Sequence, residues 1–170
     1  MTDDFLKNDD QLHIALIPDG NRRYAQKFRK PVWYGHYMGA RKIEEFIRWC
    51  SDYEQIKTVS IFALSTENLK RPKKELEHLW RIYKTYLFKA LKSKDIKQNQ
   101  IKVNVFGNED VWREDIKQAA RDVMRLTAQY SRKVVNILLS YGSRIEIVNA
   151  AKQLLKERVK KSKFANIIFD

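Results

Sequence analysis

Four short apolar runs, rich in β-branched and aliphatic residues, recur along the chain and predict four strands. They are HIALIP from residue 13, TVSIFALS from residue 58, IKVNVFG from residue 101 and VVNILLSY from residue 134. Between and after them, apolar residues recur at three- and four-residue steps, which predicts helices over about 37–53, 73–97, 111–130 and 143–162. Because strands that alternate with helices pair in parallel through crossovers, we predict an α/β fold with a mainly parallel central sheet and helices on both faces.

Length and composition fit one globular domain. The chain has 170 residues, 44% of them hydrophobic, which is enough for a packed core. Residues 1–11 form a polar N-terminal extension without the features of a signal peptide, and we expect a single domain over 12–170. No apolar run is long enough to span a membrane, and the lone Cys50 cannot form an internal disulfide. We therefore expect a cytoplasmic protein that can contact a membrane surface transiently.

The charge of the chain bears on its partners. A formal net charge of +13 favours an anionic partner, such as nucleic acid, a phosphorylated metabolite or an acidic membrane surface. Many of the lysines fall on helical faces, where a solvated surface explains them equally well.

Polar residues follow each predicted strand, in the turns PDGNRR, STENLKRP, GNED and YGSR. The carboxyl ends of parallel strands meet at one edge of a sheet, and ligands bind beyond that edge in open α/β folds. We therefore expect these four turns to place their polar groups on one rim.

The first turn combines features of a phosphate site with one acidic residue. Gly20 permits a sharp turn, and Arg22 and Arg23 can donate hydrogen bonds to phosphate oxygens. Asp19 would repel a bare phosphate, and its presence in such a turn is explained if it holds Mg²⁺ against a diphosphate. The alternative is that Asp19 only caps the helix that follows.

The second turn has the same chemical character. Ser65, Thr66, Asn68 and Arg71 follow a strand directly, and hydroxyl, amide and guanidinium groups suit a phosphorylated ligand, although they also suit an ordinary helix cap. His36, between two glycines, is expected near a helix start that faces the same rim.

The blocks PDGNRRYA, GHYMGARK, STENLKRP and YGSRIEI resemble, in order and spacing, those of the cis-prenyltransferases, the family that includes undecaprenyl diphosphate synthase. The Arg22–Arg23 pair and Tyr24 resemble the archaeal and eukaryotic-like branch. The resemblance implies an apolar tunnel between helices, a homodimer or related heteromer, and Mg²⁺-dependent condensation of isopentenyl diphosphate with an allylic diphosphate to form Z double bonds. Trp80, Tyr83, Leu87 and Phe88 on the long helix could line the tunnel, or simply pack in the core.

The resemblance also implies a role for each matching residue. Asp19 is implied as the catalytic Mg²⁺ ligand, and Asn68 as a catalytic residue that positions substrate, since an amide is a poor base and released diphosphate is a better proton acceptor. Val32 stands where bacterial members often place a phosphate-binding arginine, and we expect Arg29 or Lys30 to substitute. The remaining residues implied in substrate binding are Gly20, Asn21, Arg22, Arg23, Tyr24, His36, Ser65, Thr66, Glu67, Leu69 and Arg71.

One motif of the family is absent from the 170 residues. The family's later arginine, glutamate and serine motif, which holds isopentenyl diphosphate, has no match here. We therefore expect the domain over 12–170 to be incomplete at its C-terminal end, and the 170 residues alone could be inactive.

Two other classes of function compete with this interpretation. A basic nucleic-acid-binding module would explain the charge, but the aromatic residues fall in apolar helical stripes, so nucleic acid is not expected as a partner. A non-catalytic subunit of a heteromeric prenyltransferase would need neither the aspartate nor the arginines of the first turn, and this chain has both.

Overall fold

The computed structural model describes residues 11–157. Its centre is a parallel four-stranded sheet in the order β1-β2-β4-β3, so every strand ends at the same edge. This confirms the predicted α/β class with a parallel sheet. The strands are β1 (Leu12–Leu16), β2 (Ile56–Ser65), β3 (Ile101–Phe106) and β4 (Lys133–Tyr141).

Six α-helices connect and follow the strands within the described residues. They are α1 (Asn21–Lys27), α2 (Val32–Ser51), α3 (Lys73–Leu91), α4 (Lys94–Gln98), α5 (Glu114–Thr127) and α6 (Ser143–Glu157). The helix α2 packs on β2 and on α3, while α5 packs on β3 and on α3, and the small helix α1 packs on α2.

The helix predicted over 73–97 is wrong as one continuous element. The structure ends α3 at Leu91, and Ser93 adopts an extended backbone and accepts a hydrogen bond from the amide of Ile96, which caps a separate helix α4. A serine that caps one helix cannot continue another, because its backbone leaves the helical region.

Other helix bounds also differ. The helix predicted over 37–53 begins earlier, after Pro31, which suits a helix start because proline lacks an amide donor. The helix predicted over 111–130 begins at Glu114 after a 3₁₀ turn over Glu109–Val111, and it ends at Thr127. The end of the helix predicted over 143–162 and the extension over 1–11 lie largely outside the described residues.

The core lies between one face of the sheet and the helices. Its buried members come from alternate positions of the strands, such as Val59, Ile61, Val103 and Val105, because successive side chains of a strand point to opposite faces. The other face carries a chain of side-chain hydrogen bonds that crosses all four strands, through His13, Ser60, Asn136 and Asn104.

A buried lysine joins the start of β4 to the end of α2. The Lys133 amine donates hydrogen bonds to the backbone carbonyls of Cys50, Tyr53 and Ile56, at 3.2, 2.6 and 3.1 Å. Burial lowers the pKa of this amine. The lysine therefore satisfies carbonyl groups at and beyond the C-terminal end of α2, where a positive charge is favourable.

We predict that Lys133→Met destabilises the fold by about 2–4 kcal/mol, because it leaves buried carbonyl groups without donors. Urea unfolding followed by circular dichroism measures the change. Lys102→Met on β3 is the matched control, since Lys102 is only half-buried and its replacement is expected to cost less than about 0.5 kcal/mol. Equal stability of the two variants would contradict the structural role of Lys133.

None of the helices in the described part of the chain combines the length and apolar character that crossing a membrane requires.

Candidate functional site

The turn after β1 presents the Asp19 carboxylate at the rim of the sheet. Gly20, with a φ of 88°, begins the helix α1, and that conformation favours glycine. One carboxylate oxygen of Asp19 accepts a hydrogen bond from the amide of Gly20 at 2.6 Å, and the other pairs with Arg23 at 2.7 Å. Asp19 is therefore not the cap of α1, and its side chain stays 80% exposed.

The glycines of the GHYMG block allow α1 and α2 to pack closely. A Cβ atom at Gly35 would collide with the carbonyl oxygen of Asn21, and one at Gly39 would collide with the Asn21 side chain. His36, between them, lies in the second turn of α2 rather than at the helix start, and it is buried. The block thus holds Asn21 and His36 beside the first turn.

The turn after β2 is held against the end of β4. The amide of Thr66 donates to the carbonyl of Tyr141, and a 3₁₀ turn over Glu67–Lys70 follows. The Ser65 hydroxyl accepts from the amide of Asn68 at 3.2 Å, which folds the turn back over the strand. Arg71 then leads into α3.

Glu75, in the first turn of α3, gathers three of the predicted site residues. A single carboxylate oxygen of Glu75 lies 2.9 Å from Nε2 of His36, 3.4 Å from Nη1 of Arg71 and 3.7 Å from Nε of Arg22. The Glu75 side chain is only 7% exposed. Burial lowers the pKa of His36, although the hydrogen bond to Glu75 opposes that shift.

Glu75 was missed by the sequence interpretation. It stands in the segment KKELE, whose charge pattern is typical of an exposed helix start. The only sequence signal is its position three residues after Pro72, where an acidic residue is common at the start of a helix.

A polar cavity of about 850 Å³ opens between the first two turns. Most of the predicted site residues line it, and Lys30 and Val32 line it as well. Arg29 does not line it, so the expected substitute for the bacterial arginine is Lys30. The predicted residues that line the cavity are Asp19, Gly20, Asn21, Arg22, Arg23, His36, Ser65, Asn68 and Arg71.

Four predicted site residues lie near this cavity but are not among its lining residues. Tyr24 is exposed and packs on Phe28, with the ring centroids 4.8 Å apart. Leu69 packs against the hydrophobic core, while Thr66 and Glu67 lie in the second turn, where Gly142 leaves room for Thr66.

The third and fourth turns share the rim but do not line the cavity. In the third turn, Asn108 accepts a hydrogen bond from the amide of Asp110 and so closes its own turn. In the fourth, the Tyr141 hydroxyl pairs with Glu146. The strand order explains this for the third turn, because β3 lies at the far side of the sheet from β1. The fourth turn follows β4, a neighbour of β2, and it lies against the second turn, where the carbonyl of Tyr141 accepts a hydrogen bond from the amide of Thr66.

An apolar cavity of about 420 Å³ continues from the polar one toward the core. Both cavities share the lining residues Ala40, Ile43, Ala63, Ile82 and Tyr83. The Tyr83 hydroxyl donates to the carbonyl of Ala63 at 2.9 Å, and burial raises the pKa of this tyrosine.

The four aromatic and aliphatic residues expected along the tunnel separate into two groups. Tyr83 and Leu87 line the apolar cavity. Trp80 is buried in the core, which is the alternative left open for it, and Phe88 is 43% exposed, so neither lines the cavity. Phe88 directly follows the lining residue Leu87, but a helix turns each successive residue by about 100° to a different face.

Asp19 is the one acidic residue among the described residues that line the polar cavity, so any metal ion bound there would depend on it. Within residues 11–157, no cluster of three or more His, Cys, Asp or Glu side chains could hold a metal ion by itself. A lone exposed carboxylate nevertheless fits Mg²⁺, which is typically bound by one or two carboxylates together with substrate phosphates and water.

The chain matches the undecaprenyl diphosphate synthase family model over residues 17–169. It is 39% identical over 145 residues to a synthase of Thermococcus kodakarensis, covering 85% of this chain and 54% of the relative. It is 37% identical over 153 residues to one of Pyrobaculum aerophilum, covering 90% of this chain and 64% of the relative. Both relatives are named tritrans,polycis-undecaprenyl-diphosphate synthase (geranylgeranyl-diphosphate specific). The chain thus spans roughly half to two thirds of their length.

Two solved structures share the fold. One is lavandulyl diphosphate synthase from Lavandula x intermedia in complex with dimethylallyl diphosphate, with a TM-score of 0.78 and 25% identity, covering 91% of this chain and 69% of that one. The other is a probable undecaprenyl diphosphate synthase from Campylobacter jejuni, with a TM-score of 0.71 and 25% identity, covering 91% of this chain and 67% of that one.

Proposed function

Because the chain belongs to the undecaprenyl diphosphate synthase family of cis-prenyltransferases, we propose that it condenses isopentenyl diphosphate with an allylic diphosphate to build a Z-polyprenyl diphosphate. One observation carries this proposal: a polar cavity rich in arginine adjoins an apolar cavity, and five residues line both. A prenyl diphosphate has the same two-part character, with a charged head and an apolar chain.

The diphosphate head is proposed to bind among Arg22, Arg23 and Arg71, which line the polar cavity from two turns. Guanidinium groups form paired hydrogen bonds with phosphate oxygens and stay charged at any physiological pH. The prenyl chain then extends past Ala40 and Ala63 into the apolar cavity, whose volume falls within the range of small-molecule sites. This arrangement serves as the tunnel that the resemblance implies.

Asp19 is proposed to hold Mg²⁺ together with the bound diphosphate. The metal ion would supply positive charge that stabilises the departing diphosphate. Arg23 pairs with one Asp19 oxygen at 2.7 Å, so the residue that would hold the metal ion and one that would bind the diphosphate lie side by side.

Asn68 is proposed to position the isopentenyl group rather than remove a proton. Its backbone amide donates a hydrogen bond to the Ser65 hydroxyl at 3.2 Å, which fixes the turn, and Asn68 lines the polar cavity. An amide is a very weak base, whereas the diphosphate released in the reaction can accept the proton.

The names of the archaeal relatives suggest geranylgeranyl diphosphate as the primer, and we adopt it for this protein. Assembly as a homodimer is proposed from the resemblance to the family alone. A purely non-catalytic subunit is the second candidate. The presence of Asp19, Arg22 and Arg23 on the cavity wall favours the catalytic role.

Binding of geranylgeranyl diphosphate, measured by isothermal titration calorimetry, tests the proposed head-group site. We expect Arg23→Ala and Arg71→Ala each to weaken binding by about 1.5–3 kcal/mol, the scale of a charge-assisted hydrogen bond. Arg81→Ala is the matched control, because Arg81 lies exposed on α3 and outside both cavities. Unchanged affinity in both site variants would place the diphosphate elsewhere.

A further inference from the structure

Glu75 is the point at which three separate elements of the polar cavity meet. Arg22 comes from α1, His36 from α2, and Arg71 from the end of the 3₁₀ turn, and all three approach the same oxygen of the Glu75 carboxylate. Each of these three residues lines the polar cavity, whereas Glu75 lies behind them and does not line it.

The burial of Glu75 makes its partners necessary. A buried carboxylate is costly unless it is paired and hydrogen-bonded, because it has lost its hydration. Here the hydrogen bond from His36 is itself buried, and Arg71 is 24% exposed, so two of the three contacts are screened little by water. Arg22 is more exposed, at 57%, and therefore contributes less to stabilising the Glu75 carboxylate.

The distances leave both arginines free to bind a second anion. At 3.4 and 3.7 Å, Arg71 and Arg22 each approach Glu75 through one nitrogen only. A guanidinium group carries five N–H donors, so most of the donors of each arginine remain available on the cavity side. Without the negative charge of Glu75, these two cations would repel one another across a small space.

From this arrangement we infer that Glu75 is the positioning residue that assembles Arg22, His36 and Arg71 into one preformed anion-binding unit. The inference rests on the proposed function, because it assigns the unit to the diphosphate head of the substrate. Groups that are held in place before binding lose less conformational freedom when the ligand arrives, and this increases affinity.

The pairing also specifies the state of His36. Its Nε2 atom is engaged by Glu75 at 2.9 Å, which favours the tautomer that donates from Nε2. The ring therefore acts as a link between α2 and α3, and its contribution to diphosphate binding is expected to depend on Glu75.

The test measures the affinity for geranylgeranyl diphosphate and for inorganic diphosphate by calorimetry. Glu75→Gln keeps the shape of the side chain and removes its charge, and we expect it to weaken binding of both ligands about tenfold or more. Glu77→Gln removes the same charge two residues along α3, outside both cavities, and is expected to change affinity less than about twofold. Thermal melting followed by circular dichroism confirms that each variant is folded.

A double-mutant cycle separates positioning from general damage to the fold. If Glu75 acts through the arginines, Glu75→Gln has little further effect on affinity in an Arg22→Ala/Arg71→Ala background. The inference is overturned if Glu75→Gln binds as tightly as the wild-type protein, or if it weakens binding by the same factor with and without the arginines.

A second measurement needs no substrate and keeps the inference distinct from the proposed function. The ¹⁵N relaxation of Arg71 Nε reports the order of its side chain, and we expect that order to fall in Glu75→Gln and to persist in Glu77→Gln. If the wild-type protein binds neither diphosphate, the proposed function fails, and this measurement alone decides whether Glu75 orders the arginine. Unchanged order of Arg71 in Glu75→Gln would contradict the inference.

Discussion

Replacing Asp19 with alanine is expected to lower Mg²⁺-dependent turnover by about 10³-fold or more, while the fold survives. Asp19 is the carboxylate that the first turn presents to the polar cavity, and its side chain is largely exposed. Negative charge builds on the departing diphosphate in the transition state, so loss of the metal ligand removes stabilisation where it has the greatest effect. The rate of incorporation of labelled isopentenyl diphosphate into geranylgeranyl diphosphate measures the change.

The ion pair between Asp19 and Arg23 allows a second readout for the same variant. Because Asp19→Ala frees Arg23 from its partner at 2.7 Å, binding of geranylgeranyl diphosphate without Mg²⁺ is expected to be at least as tight as in the wild type. The increase in affinity that Mg²⁺ provides should disappear. Loss of the Mg²⁺ effect is the outcome that distinguishes a metal-binding carboxylate, because removing any carboxylate paired with Arg23 would free the guanidinium group.

Asp110→Ala is the matched control for Asp19→Ala. Asp110 is an exposed aspartate in the turn after β3, on the same rim but outside the polar cavity. We expect its replacement to leave turnover within about twofold of the wild type. Near-normal turnover in a folded Asp19→Ala protein would refute the metal-binding role of Asp19.

The strands were predictable from sequence because each is a short β-branched run bounded by turn residues. Their order in the sheet was not predictable, and it places the turns after β1 and β2 side by side and the turn after β3 two strands away from the turn after β2. The turn after β4 is also next to the turn after β2, but it contacts that turn through Tyr141 and does not line the cavity. The sequence therefore predicted the shared rim, but not which two of the four turns form the cavity.

The residues of the site were recognisable where their type is unusual for a turn, as with Asp19 beside Arg22 and Arg23. Glu75 was not recognisable, because a glutamate after two lysines at a helix start is ordinary on a protein surface. Its burial arises from the packing of α2 on α3 and of α1 on α2, which no local sequence pattern indicates. The helix break at Ser93 could not be predicted for a similar reason, since the apolar periodicity continues into α4.

The boundary between the two cavities leads to the last prediction. Ala40 on α2 and Ala63 on β2 are the two smallest of the five residues that line both cavities, and we expect the prenyl chain to pass beside them if the polar cavity holds its diphosphate. A phenylalanine at position 40 would fill this passage. The polar groups that bind the diphosphate stay unchanged, so binding of a short allylic diphosphate is expected to change little.

We predict that Ala40→Phe lowers the yield of full-length product by at least about tenfold and shifts the products to short chains, since even ~1.4 kcal/mol of steric penalty on passage gives that factor. Thin-layer chromatography of the labelled products measures their length. Ala90→Phe is the matched comparison, because Ala90 lines only the apolar cavity. A chain that enters the cavity meets position 40 before position 90, so Ala90→Phe should stop growth later and give products of intermediate length. If Ala40→Phe makes the same products as the wild-type protein at the same rate, the growing chain does not pass from the polar into the apolar cavity.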